Sequence, residues 1–144
     1  MVADPYRSPP APPPRAPRRQ GQPCPRCAGR LVAAEVAGVA LESCDGCDGR
    51  FVAREAMVAI LDHPGTVDEL RALLPRRGAG RPSPDRLYIN CPVCGTLMHR
   101  RQSAPGGAVV IDWCALHGCW FDAGELPRAL DFVAAGGDLR WAAR

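Results

Sequence analysis

Cysteine occurs in this chain as spaced pairs, and the pairs fall into two sets, which constrains the fold more than any other feature. Cys24 and Cys27 are followed, after sixteen residues, by Cys44 and Cys47; Cys91 and Cys94 are followed, after nineteen, by Cys114 and His117 at a Cys-x-x-His spacing. Each set supplies four thiolate or imidazole donors, the number that one tetrahedral zinc takes in a structural site. The expected metal ligands are therefore Cys24, Cys27, Cys44, Cys47, Cys91, Cys94, Cys114 and His117, and the expected cofactor is Zn²⁺, two per chain. The competing reading is disulfide or redox use. A thioredoxin-type dithiol opens a helix in a βαβ context, and neither Cys-Pro-x-Cys pair here precedes a helical pattern.

The rest of the chain is too small to fold on hydrophobic burial twice over. Its 144 residues include 16 prolines and 15 glycines, and two units of roughly 40 to 50 residues each need a metal, disulfides or a partner to be stable. The opening Met1-Val2-Ala3-Asp4-Pro5 does not read as a signal peptide, and no stretch is apolar for long enough to span a bilayer. The expectation is a cytoplasmic protein in a reducing compartment, where such cysteines bind metal. The formal charge of +3 counts every cysteine as a neutral thiol. Seven thiolates subtract seven charges and two Zn²⁺ add four, so the metallated chain sums to zero. A globally basic, nucleic-acid-seeking protein is not what this balance describes. All eighteen basic residues are arginine, a coding bias before it is a preference for planar contacts to phosphate or carboxylate.

Read in order, residues 1–22 form a Pro/Arg-rich tail with almost nothing to bury, expected to be disordered with local polyproline II character. It is either a solvated tail or a weakly basic arm for nucleic acid or a proline-recognising partner. Residues 23–62 form a first unit: knuckle Cys24-Pro25-Arg26-Cys27, strands at Leu31 to Val36 and Val39 to Ser43 about Gly38, knuckle Cys44-Asp45-Gly46-Cys47, and a helix from Arg54 to Leu61. Residues 63–86 hold a short helix and a basic linker. Thr66 and Glu69 have capping-box spacing ahead of Leu70, Leu73 and Leu74, and this helix is expected to pack on the first unit. Residues 87–137 form the second unit, with strands from Leu97 to Gln102 and Ala108 to Trp113 joined at Pro105-Gly106-Gly107. Asp122 and Glu125 offer a further capping box, although Pro127 moves the helix start towards Glu125 or Pro127. Residues 138–144 are expected to be a frayed tail unless Trp141 folds back.

The second unit, with Cys91-Pro92-x-Cys94-Gly95, Cys114-x-x-His117-Gly118, Trp120 or Phe121, Asp122, Gly124, Glu125 and Leu126, resembles the TFIIB-type zinc-binding domain of bacterial proteins, a small zinc ribbon. The first unit resembles it through Cys24-Pro25-x-Cys27, Cys44-x-x-Cys47, Phe51 and Glu55, with Val52 and Arg54 where the family has its aspartate and glycine. The resemblance covers residues 24 to about 135 as two tandem copies and implies zinc binding and a fold related to transcription-factor ribbons. The expected fold is a small metal-stabilised α+β protein: two zinc ribbons, each a β-hairpin with knuckles followed by a short helix, behind a disordered tail.

Cys119 is an alternative fourth ligand to His117, but position 117 aligns with Cys47 and Cys119 breaks the knuckle spacing; the expectation is a free Cys119 packed beside Trp120. All four coordination positions are filled in each set, so no enzymatic role is expected, and His63 and His99 read as surface residues. Two functional classes remain. One is a protein-interaction module in a transcription-related setting, with Phe51, Trp113, Trp120 and Phe121 as contact residues. The other is nucleic-acid binding through Arg76, Arg77, Arg81, Arg86, Arg100 and Arg101. A thiol redox sensor using Cys119 is a minor alternative. No small-molecule substrate and no membrane partner is expected.

Overall fold

The computed structural model describes residues 21–76, 88–104 and 109–144. The expected tail up to residue 20, most of the basic linker with Arg77, Arg81 and Arg86, and the Pro105-Gly106-Gly107 turn lie outside the described residues. Within them the chain runs β1 (Leu31–Val36), β2 (Val39–Cys44), β3 (Arg50–Ala53), α1 (Arg54–Leu61), α2 (Pro64–Leu73), β4 (His99–Gln102), β5 (Val110–Cys114), β6 (Gly118–Phe121), α3 (Glu125–Ala134) and a final 3-10 turn (Arg140–Ala143). Among the described residues the fold is small and α+β, with one antiparallel sheet and three α-helices.

The β1–β2 hairpin follows from its turn. Ala37 and Gly38 take φ of 52° and 75°, the two left-handed residues that a type I′ turn requires. Each hairpin then continues through a knuckle into a short third strand that the sequence pattern did not reveal. Those two strands, β3 and β6, pair with each other, so the sheet order is β1-β2-β3-β6-β5-β4. The register is Arg50 with Phe121, Phe51 with Trp120, Val52 with Cys119 and Ala53 with Gly118. The two halves thus share one sheet.

Alternation along β3 and β6 sends successive side chains to opposite faces. Val52, Cys119 and Phe121 join Met57 and Ile60 of α1, Val67 and Leu70 of α2, and Leu126 and Leu130 of α3 in one core. Phe51 and Trp120 point the other way, into a second apolar cluster with Leu31, Ile89, Met98 and five of the cysteines. Burying Phe51 and Trp120 there contributes roughly 2–3 kcal/mol each.

The helices and the C-terminal turn correct four expectations. α2 begins at Pro64, with His63 as N-cap and no side-chain cap, because proline at the first position has the right φ and lacks only an N–H that no helical carbonyl would accept; Thr66 lies inside the helix. α2 also packs mainly on α3 of the second half, where Arg71 Nε donates to Asp131 Oδ1 at 2.7 Å and Arg76 Nη2 to the same oxygen at 2.9 Å. α3 starts at Glu125 after Gly124 in the left-handed region, φ 78°. Pro127 is then its third residue, where the missing N–H again costs nothing. Asp122 does not cap it with its side chain. Instead the Glu125 carboxylate reaches back to accept the Asp122 N–H at 3.0 Å. Finally, residues 138–144 are packed rather than frayed: Leu139 and Ala142 are buried, and Trp141 meets Trp113 edge to face at 5.8 Å.

Gly118 opens β6 with φ 142°, and a Cβ there would run into the Val52 carbonyl across the β3–β6 seam. Gly118→Ala should therefore lower stability by at least about 3 kcal/mol. Gly38→Ala, at φ 75° in open space, should cost only about 1 kcal/mol. Chemical denaturation of the metal-replete proteins checks this, and equal losses would show that the seam does not limit stability.

Candidate metal centres

Each ligand set is assembled by two turns brought together by a hairpin. In the first half, Pro23 bridges Arg30 and Asn90 does the same with Leu97 in the second, folding each Cys-Pro-x-Cys segment back towards its hairpin. β2 and β5 end on Cys44 and Cys114, which delivers the second pair of donors beside the first. The donor atoms of Cys24, Cys27, Cys44 and Cys47 all lie within 4.8 Å of one another, as do those of Cys91, Cys94, Cys114 and His117.

The spacings test whether zinc fits. Bonds of about 2.3 Å to sulfur span a tetrahedral edge of about 3.8 Å, and a sulfur and a nitrogen ligand are separated by about 3.6 Å. Cys24 Sγ lies 3.8 Å from Cys47 Sγ and Cys27 Sγ lies 3.4 Å from Cys44 Sγ. In the second set Cys94 Sγ is 4.0 Å from Cys114 Sγ, which is 3.6 Å from His117 Nδ1. Backbone amides complete the knuckles. The Arg26 N–H donates to Cys24 Sγ at 3.3 Å, Gly29 to Cys27 at 3.2 Å, Gly46 to Cys44 at 3.3 Å and Val93 to Cys91 at 3.4 Å. Such bonds favour thiolate over thiol. A hydrogen bond from the Cys47 thiol, reinforced by the Arg26 amide, holds Cys24 down at about 5, and the Thr96 side chain leads the groups that hold Cys94 down at about 6. Burial pushes Cys91 up to about 12 and also raises Cys44. A cation between the sulfurs would offset the burial that raises Cys91 and Cys44. The donor chemistry and spacing fit Zn²⁺ at both places.

Cys119 is not part of either set. It is fully buried in the main core, its Sγ donates to the Ala142 carbonyl at 3.4 Å, and burial pushes its thiol up to about 12. A thiol so placed is a packing residue rather than a reactive one.

Around the first knuckle is a feature that sequence reasoning missed. Arg26 is only 3% exposed. Its guanidinium reaches the second half, with Nη2 donating to Asp112 Oδ2 and Nε to Asp122 Oδ1, both at 3.1 Å. Asp112, 1% exposed on β5, also accepts from Arg100 Nη1 at 3.3 Å; burial raises its carboxyl to about 6 against the pull of both arginines. Asp122 Oδ1 takes the Trp120 indole N–H as well, at 3.0 Å. The signal was a charged residue in the otherwise apolar run Val109-Val110-Ile111-Asp112-Trp113, since a carboxylate there must find a cation.

The expected contact aromatics are mostly core. Phe51, Trp120 and Phe121 are buried, packed on the two faces of the seam, and are corrected to structural residues. Trp113 remains half-buried beside His99, with ring centroids 5.3 Å apart. Among the described arginines proposed for phosphate, Arg76 pairs with Asp131, Arg100 with Asp112, and Arg101 lies over the Trp141 ring at 4.3 Å.

Residues 23–63 match the family described as transcription factor zinc-finger, of the TFIIB zinc-ribbon type. The match ends before the second ligand set, whose support is geometric. No match was found among curated proteins or among solved structures.

Glu125 gives the site a pH-dependent neighbour. Burial first, and then the Asp122 charge, push its carboxyl from 4.5 up to about 7. A carboxyl that holds its proton more tightly when folded makes stability fall as pH rises through that window. Glu125→Gln keeps an acceptor for the Asp122 N–H and should gain on the parent protein between pH 5 and pH 7.5, by at most about 2 kcal/mol. Urea unfolding at both pH values checks this; an unchanged difference would mean that Glu125 does not titrate there.

Proposed function

We propose that this chain is a zinc protein built from two tandem structural zinc ribbons, and that it works as a protein-interaction module in a transcription-related process rather than as an enzyme. The observation that carries the zinc reading is the pair of closed four-donor sets at tetrahedral spacing. A metal with four protein ligands has no position for water or substrate, so its role is to hold the fold. The family match over residues 23–63 supports zinc in the first ribbon and motivates the transcriptional setting. Thiolate ligation needs a reducing compartment, and the proposal includes a cytoplasmic location for that reason. No helix of the described residues is long and apolar enough to cross a membrane.

A protein partner is favoured by where apolar surface remains. Tyr88, Leu97 and Leu116, exposed at 57%, 58% and 71%, flank or lie within the second ligand set, whereas the corresponding positions of the first half are Gly21, Arg30 and Gly46. Exposed aliphatic and aromatic side chains beside the second ligand set, with Val32, Val58 and Leu73 exposed elsewhere, suit a protein surface better than phosphate. The second reading, nucleic-acid binding, is favoured by one observation: Arg101, Trp141, Trp113 and His99 form a strip of ring and guanidinium faces, the chemistry on which single-stranded bases stack.

Metal analysis should give two Zn²⁺ per chain, with chelation unfolding the protein because binding energy here is folding energy. Cys119→Ala should keep both ions and His117→Ala should lose or strongly weaken one; the reverse pattern would move the ligand register to Cys119. A salt titration against single- and double-stranded DNA and RNA separates the partner classes. Under the protein-partner reading no binding is expected at low salt; binding that weakens steeply as salt rises would put nucleic acid first.

A further inference from the structure

The two ligand sets are joined by more than a common sheet. Arg26 belongs to the first set's knuckle: its N–H donates to Cys24 Sγ at 3.3 Å. Its guanidinium leaves that knuckle and is bound by Asp112 and Asp122 of the second half, at 3.1 Å each. Asp112 stands two residues before the ligand Cys114 on β5, and Asp122 follows β6, the strand that begins beside His117. In the other direction, the His117 carbonyl accepts the Arg54 N–H of the first half at 2.9 Å. Five of the ligand cysteines, three from one set and two from the other, pack with Phe51 and Trp120 in one apolar cluster.

These contacts have an energetic consequence for metal loading. If the second set empties, the end of β5 and the β5–β6 turn lose the metal that holds them, and Asp112 and Asp122 lose their fixed positions. Arg26 is then left as a buried cation with displaced partners, which is strongly unfavourable. The least costly response is for the first knuckle to open and return Arg26 to water. The corresponding position of the second knuckle is Val93, which carries no charge, so the ionic tie is made by the first set alone.

We propose that the two zinc sites fill and empty together, and that Arg26 is the positioning residue that couples them. The proposal rests on the reading that both sets bind zinc. By linkage the coupling is reciprocal: metal in either site strengthens metal in the other by the same factor. Coupling of about 10- to 100-fold lies in the ordinary range for linked sites.

Native mass spectrometry of the full-length zinc-loaded protein during titration with EDTA reads the populations with two, one and no zinc. Independent equal sites put about half of the protein in the one-zinc state at the midpoint, and unequal sites put more there; coupling of 10- to 100-fold holds it to about a quarter down to a tenth. The parent protein should show the low value. Arg26→Met should still bind two zincs at saturation but pass through a one-zinc state of about half, a change that simple loss of stability without loss of coupling does not produce. Should Arg26→Met fail to fold, Asp122→Asn, which weakens the same tie, should give an intermediate one-zinc population. Fewer than two zincs on the intact parent protein would overturn the zinc reading itself. Two zincs with a one-zinc state at half or above in the parent, or an Arg26→Met or Asp122→Asn profile like the parent's, would overturn the coupling alone.

Discussion

The pairing of β3 with β6 is the interaction on which everything else in this structure depends. Each strand is four residues long, and neither hairpin alone has enough apolar surface to persist in water. Joined, they place Phe51 beside Trp120 on one face and Val52 beside Cys119 on the other. Both faces of the seam are then buried, one by the three helices and one by the knuckles. The close approach is what makes glycine necessary at 118 and at 49, where a Cβ would enter the Trp120 ring.

Two kinds of cross-tie hold the halves in that register. Apolar burial is non-directional and would tolerate a shifted seam, whereas charges in fixed positions would not. Arg26 with Asp112 and Asp122 is one such tie on the knuckle side; Asp131 with Arg71 and Arg76 is another, more exposed, on the helix side. The buried tie trades a large desolvation cost for directionality, which is the use for which internal ion pairs are best attested. The exposed one adds little by itself, and α2 is held to α3 mainly by the shared core around Leu70 and Leu130.

Local features were legible in the sequence and non-local ones were not. The β1–β2 hairpin with its Gly38 turn and the α1 limits at Arg54 and Leu61 follow from spacing and periodicity and appear as expected, and the knuckle cysteine sulfurs of each set lie within 4.8 Å of one another. The caps departed for two physical reasons: Pro64 starts α2 ahead of Thr66, and the Asp122 carboxylate is taken by Arg26 and Trp120, so only the Glu125 side of that capping box forms. The aromatics were assigned outward because Phe51, Trp120 and Phe121 follow a knuckle in what looked like a short link into a helix. A four-residue strand has too few residues to display alternation, so β3 and β6, and the burial that goes with them, had no periodic signature.

The order of the sheet has one more consequence. Among the described residues both halves present three strands and then a helix, and they meet through the third strand of each, run antiparallel, so a half-turn about the seam exchanges the two halves of the sheet in outline. A strand-to-strand contact of this kind closes at two, the geometry by which identical chains pair as dimers. Within one polypeptide the two halves need not be identical, and corresponding knuckle positions carry Arg26 in one and Val93 in the other. A homodimer would have to place any charge at that position twice; this chain carries it once, on the side where Asp112 is there to receive it.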